Sequence, residues 1–161
     1  MARPGPSIAV IGTGADASAA ELAEAEEAGA AIAAAGATLI CGGLGGVMEA
    51  ACRGARSRGG MTVGILPGSD RSDANGWVVL ALPTGLGEAR NALVAGAADA
   101  VVAIGGGWGT LTEIGFALRA GKPVLGVGTW QLERDGAVVG GVHAVDDGVT
   151  AVAEALRRAA R

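Results

Sequence analysis

The chain has 161 residues, enough for one domain with a single sizeable core. Half of it is hydrophobic and only 17% is charged, which excludes a disordered chain. The net charge of −4, from 12 basic and 16 acidic residues, argues against nucleic-acid binding, which rests on lysine and arginine neutralising phosphates. No apolar run reaches the ~20 residues that span a bilayer. The first residues lead straight into a short strand-like run and not into a signal-peptide core. Cys41 and Cys52 make no disulfide framework. A soluble, cytoplasmic protein with no membrane or nucleic-acid partner is expected.

Aromatic residues are 2% of the chain, while glycines number 30, so the core must be built from Ala, Val, Leu and Ile with closely approaching backbones. Residues 7–11 form a short apolar run closed by Gly12-Thr13-Gly14, the pattern of a buried strand. Residues 18–35 read as a helix opened by the capping-box spacing Ser18-x-x-Glu21 and stopped at Gly36. A second strand, 37–41, runs into Gly42-Gly43-Leu44-Gly45-Gly46, and a second helix covers 47–58. A third strand follows at 61–66, a polar loop at 67–76 and a fourth strand at 77–82. Pro83-Thr84-Gly85 breaks that strand before a helix over 86–98. A fifth strand, 99–104, enters Gly105-Gly106-Gly107-Trp108-Gly109, and a helix spans 110–120. A sixth strand takes 123–127, residues 131–141 fit a hairpin or a short strand, and a last helix covers 148–160.

Strands alternating with helices, each strand a continuous apolar run, imply a doubly wound parallel sheet with helices on both faces. The whole chain, 1–161, is expected to be a single domain. Its glycines cluster where strands hand over to helices, after Ile11, Cys41 and Ile104. In such sheets ligands bind beyond the carboxyl ends of the strands. Glycine admits close backbone approach, and free N–H groups at a helix start suit a phosphate.

Gly12-x-Gly14-x-x-Ala17 fits the loose dinucleotide fingerprint, but the second strand ends in Cys41-Gly42-Gly43 without the acidic residue that would hold ribose. NAD is therefore disfavoured. No Walker A loop exists, since Gly121-Lys122 is followed by Pro123. The richest segments are Gly85-Leu86-Gly87-Glu88-Ala89-Arg90-Asn91 and 105–113. There Thr110 offers a hydroxyl to a phosphate and Arg90 a charge. Glu113 either faces the ligand or closes a capping box with Thr110. Glu88 suits the positive end of its helix.

The run Arg90-Asn91 … Asp99-Ala100-Val101-Val102-Ala103-Ile104-Gly105-Gly106-Gly107-Trp108-Gly109-Thr110-Leu111-Thr112-Glu113 resembles the LOG, or "lysine decarboxylase-like", superfamily. Within it, the resemblance is greatest to the branch with the molybdenum cofactor carrier proteins. Residues 41–50, Ile65-Leu66-Pro67-Gly68 and Ala74-Asn75 add to it, so that it covers about residues 8–120. The resemblance implies a Rossmann-like fold in a homodimer or higher homo-oligomer. It implies a small phosphorylated ligand, a nucleoside monophosphate or a phosphorylated pterin; no required cofactor and no metal ligands are expected. Carried over, the phosphate-binding residues would be Gly106, Gly107, Gly109 and Thr110; Gly12, Gly14 and Gly43, from the glycine loops after the first and second strands, complete the expected ligand-binding set. The catalytic pair of the phosphoribohydrolase members, which cleave the N-glycosidic bond of cytokinin nucleoside 5′-monophosphates, would be Arg90 and Glu113. Gly105 stands where their motif has proline, and Asn91 where it has lysine. Both departures favour a carrier-like binder over a hydrolase. Pyridoxal-phosphate chemistry is disfavoured, because the sole lysine, Lys122, precedes a proline at a strand start.

The remaining conspicuous residues read more plainly. His143 near Asp146-Asp147 is too small a ligand set for a metal. Cys41 reads as a small buried thiol. Trp108 could stack on a base or pterin, shield the phosphate site or pack on a neighbouring subunit. Trp77 and Trp130 read as strand-edge or interface packing.

Overall fold

The computed structural model describes residues 5–160. In chain order its elements are β1 (Ser7–Gly12), α1 (Ala19–Ala34), β2 (Thr38–Cys41), α2 (Val47–Ser57), β3 (Thr62–Leu66), β4 (Leu80–Pro83), α3 (Asn91–Ala97), β5 (Ala100–Ile104), α4 (Trp108–Arg119) and β6 (Val124–Val127). A small antiparallel hairpin, β7 (Glu133–Arg134) with β8 (Ala137–Val138), precedes β9 (Val142–Ala144) and α5 (Gly148–Ala159). Seven strands form one parallel sheet in the order β4-β3-β2-β1-β5-β6-β9.

Alternate strand residues feed two cores. Ile8, Val10, Leu39, Val102 and Ile104 pack under α1, α2 and α5. Ala9, Ile11, Ile40, Val101 and Ala103 pack under α3 and α4. The sheet is thus doubly wound, and its inner strands β1, β2, β5 and β6 are buried on both faces because helices cover both. Ala-rich helices let backbones meet: a Cβ on Gly29 of α1 would sit 1.9 Å from the Ala51 carbonyl of α2, and one on Gly54 would sit 1.9 Å from the Glu26 carbonyl.

Several boundaries differ from those read in the sequence. The expected helix 86–98 is two pieces, a 3₁₀ turn at Gly87–Arg90 and the seven-residue α3. The fourth strand begins at Leu80, after Trp77. Helix α4 begins two residues earlier than expected, so Trp108 and Gly109 belong to its first turn. The main sheet gains a seventh strand, β9, at its edge. The capping box of α1 forms as read: Ser18 Oγ accepts from the Glu21 N–H, and Glu21 Oε2 accepts from the Ser18 N–H.

Candidate functional site

The chain leaves β1 towards β2 and leaves β5 towards β6, on opposite sides, so a crevice opens between the carboxyl ends of β1 and β5. A cleft of about 240 Å³ lies there. Gly12 and Gly14 line it from the loop after β1, and Gly42 from the loop after β2. Arg90, Asn91 and Glu88 line it from the 3₁₀ turn and the start of α3, and Gly107, Gly109, Thr110 and Glu113 from α4. Four distant stretches of sequence therefore meet at one place.

The glycines serve different ends. Gly12 has no room for a side chain, since a Cβ would lie 2.1 Å from the Ile104 carbonyl oxygen. Gly14 and Gly107 have nothing within 4 Å on that side and leave the cleft open. Gly43 and Gly106, both expected to hold the ligand, do not line the cleft. Gly43 turns the chain at φ 78° against Gly64 and Leu66 of β3. Gly106, at φ 119°, lies against the Thr110 side chain and faces a neighbouring cleft instead.

Helix α4 starts at Gly107 with no side chain capping its first turn. The free N–H groups of that turn and the positive end of the helix dipole therefore face the cleft that Gly107, Gly109 and Thr110 line. This overturns the capping-box alternative for Thr110 and Glu113: both lie inside the helix, in its first and second turns. The amino end of α1, by contrast, is already occupied by Ser18 and Glu21. The pyrophosphate of a dinucleotide would have to displace its own protein's cap there.

Arg90 and Glu113 are 6% and 7% exposed, burial that a charged residue reaches only with a reason. Arg90 Nη1 donates to Asn91 Oδ1, and Nη2 donates to the Gly42 carbonyl at 3.5 Å, while Nε is buried with no partner. Burial pushes the Glu113 carboxyl up to about 8, against a lowering by Arg90, with Glu88 adding to the rise. Asn91 fixes the arrangement. Its Nδ2 donates to Thr112 Oγ1 at 3.0 Å and to Glu88 Oε2 at 3.3 Å, and Thr112 Oγ1 donates to the Gly109 carbonyl at 2.7 Å. Asn91 thereby ties the 3₁₀ turn to the first turn of α4.

Sequence reasoning missed Thr13 and gave Trp130 no part in the site. The Thr13 hydroxyl donates to Glu21 Oε1 at 2.8 Å and accepts from the Gly106 N–H at 2.8 Å, joining the loops after β1 and β5. A hydroxyl between two glycines at a strand end was the available signal. Trp130 Nε1 donates to the Gly107 carbonyl at 3.2 Å, and its ring lies 5.2 Å from that of Trp108. Trp130 also packs, with Val142 of the edge strand β9, against the core under α3 and α4.

Other residues fall outside the site. Lys122 Nζ donates to the carbonyls of Gly96 and Ala98 at the end of α3, remote from the cleft. His143 sits exposed on β9, its Nε2 2.9 Å from Arg158 Nη1. Cys41 and Cys52 are buried with their sulfurs 3.5 Å apart. Among the described residues no group of three or more His, Cys, Asp or Glu is placed to hold a metal ion, and no helix is long and apolar enough to cross a membrane.

Comparison with known proteins supplies a family. The molybdenum cofactor carrier protein of Chlamydomonas reinhardtii superposes with a TM-score of 0.85 at 36% identity, over 98% of this chain and 99% of that one. The molybdenum cofactor binding protein of Rippkaea orientalis superposes with a TM-score of 0.84 at 32% identity, over 95% and 96% of the two chains. An uncharacterised protein of Archaeoglobus fulgidus is 46% identical over 89 residues, which is 55% of this chain and 58% of that protein. The match to this curated relative thus spans less than two thirds of its length. A likeness to DNA processing protein A of Helicobacter pylori, at 18% identity and a TM-score of 0.69, shows a shared fold alone. The model of the SLOG cluster4 family, finally, matches residues 6–154, nearly the whole described chain with every cleft residue in it, and the chain belongs to that family.

Proposed function

We propose that this chain binds and carries, without turnover, a small ligand bearing a phosphate monoester, either a nucleoside monophosphate or a phosphorylated pterin such as the molybdenum cofactor. The observation that carries this reading is Arg90 Nε, buried without a partner in the wall of a cleft whose other wall is the uncapped start of α4. A buried guanidinium beside free helix N–H groups is matched by an anion. The kinship with molybdenum cofactor carriers supports the pterin class. Titration calorimetry with inorganic phosphate, AMP, GMP and molybdenum cofactor tests it, alongside mass spectrometry of what co-purifies. Binding of at least one phosphorylated ligand, lost on Arg90→Gln, is expected; no binding of any would refute it.

Glu113 favours a second reading, a nucleoside 5′-monophosphate phosphoribohydrolase. A carboxyl pushed up to about 8 keeps its proton at neutral pH and can serve as a general acid. It would protonate the departing base while water adds to the ribose carbon, giving free base and ribose 5-phosphate. Incubation with AMP and cytokinin monophosphates reads base release, and release undiminished in Glu113→Gln would exclude this mechanism.

A homodimer in the cytoplasm belongs to the same proposal. Leu86, Leu93 and Phe116, all about half exposed around α3 and α4, support a covered face. Sedimentation equilibrium tests it, with a monomer as the contrary result.

A further inference from the structure

A second cleft, about 550 Å³, adjoins the first at Gly107, whose backbone lines both. Its lining includes Thr13, Glu21, Gly105 and Trp130. We propose that this second cleft takes a flat heteroaromatic ring with two adjacent N–H donors on one edge, the 2-amino-4-oxo edge shared by guanine and the pterins. The ring's face lies on Trp130 and its edge on the Glu21 carboxylate. The inference rests on the preceding reading, in which the ligand's phosphate occupies the first cleft.

Three features carry it. Trp130 is held in place, its Nε1 donating to the Gly107 carbonyl and its ring leaning at 36° on that of Trp108. Trp108 is 76% exposed, an unusual cost for the largest apolar side chain in a chain with a single Phe and no Tyr. Aromatic faces so placed beside a phosphate site suit stacking on a flat ring.

Glu21 supplies the selectivity. Its Oε1 accepts from Thr13 and its Oε2 from the Ser18 N–H, which locks the carboxylate in orientation. Those bonds also hold it below the usual carboxylate range, hence ionised. An ionised carboxylate has about four acceptor positions, so two remain. They match paired donors such as N1–H and the 2-amino group of guanine. Adenine would set its N1 lone pair against the same oxygens.

Titration calorimetry on the full chain with inorganic phosphate, AMP, IMP, GMP and a 6-substituted pterin monophosphate tests this. GMP or the pterin should bind about tenfold or more tighter than AMP, with IMP, which lacks the 2-amino group, between them. The tighter of GMP and the pterin identifies the source of the ring. Glu21→Gln keeps a capping-box residue at that helix position and should erase the preference. The gain of GMP over inorganic phosphate should survive in Trp130→Phe and vanish in Trp130→Leu. Equal affinity for GMP and AMP, or a preference that persists in Glu21→Gln, overturns the ring assignment while leaving the phosphate reading intact. Absence of binding by every phosphate compound overturns both.

Discussion

Arg90 and Glu113 line one cleft, are both buried, and form no ion pair. The guanidinium spends its hydrogen bonds on Asn91 and the Gly42 carbonyl, and the carboxyl, raised by burial, keeps its proton near neutral pH. The cleft therefore holds the Arg90 guanidinium, the Glu88 carboxyl bonded to Asn91, a neutral acid and an uncapped helix start. The orphaned Arg90 Nε and the free N–H groups of α4 are the donors left for an anion.

Removing the charge should separate binding from stability. Arg90→Met is expected to weaken phosphate binding about 10- to 100-fold, the worth of a charge-assisted hydrogen bond. The ligand-free protein should not lose thermal stability, because a buried guanidinium with an orphaned Nε is replaced by an apolar chain of similar length. Calorimetry and a melting curve on the same sample check both halves.

Glu113 makes stability fall as pH rises. The folded carboxyl titrates at about 8 and the ordinary value is 4.5, so between these the folded chain keeps a proton the unfolded chain has lost. Its contribution is complete below 4.5 and is lost as pH passes about 8. The total change is on the order of 5 kcal/mol. Phosphate affinity should also drop between about pH 7 and 9, when Glu113 ionises beside the bound dianion. Melting temperature followed from about pH 4.5 to 8, and phosphate affinity from about pH 7 to 9, should decline in the natural protein and stay flatter in Glu113→Gln.

Much of this was legible in the sequence, for a physical reason. Continuous apolar strands buried on both faces, such as residues 100–104, leave no other architecture than a covered parallel sheet. Ser18 and Glu21 announced the start of α1 by chemistry alone. The start of α4 was hidden because Trp108-Gly109 after three glycines looks like loop, and no side chain caps the helix there to mark its first turn. Strand β9 has three residues, too few to show a period. The meeting of Arg90 with Glu113 depends on sheet order, which no local pattern encodes; resemblance alone pointed to the pair. Trp130 sits in a loop without a motif and reaches the site through its bond to Gly107.

Two glycines of the site should behave oppositely on substitution by alanine. Gly12→Ala drives a methyl to 2.1 Å from the Ile104 carbonyl, and backbone cannot yield cheaply. A loss of about 3 kcal/mol is expected. Gly107→Ala meets nothing within 4 Å and has an ordinary φ of −97°, so stability should change by less than about 0.5 kcal/mol. Its methyl stands at the cleft, and phosphate binding should weaken. Urea unfolding paired with calorimetry separates the two residues.

Thr13 is the joint between the loops after β1 and β5, and its hydroxyl works in both directions. Thr13→Val keeps the shape but strands the Gly106 N–H and removes a donor from Glu21 Oε1. The unfolding midpoint in urea should fall by the equivalent of about 1–3 kcal/mol at constant slope. The Gly106 amide should exchange faster with solvent, since its only acceptor among the described residues is gone. Thr13→Ser retains the hydroxyl and should restore slow exchange at Gly106. Fast exchange in the serine variant would mean that the methyl group, packed between the loops, holds them together and the hydroxyl does not.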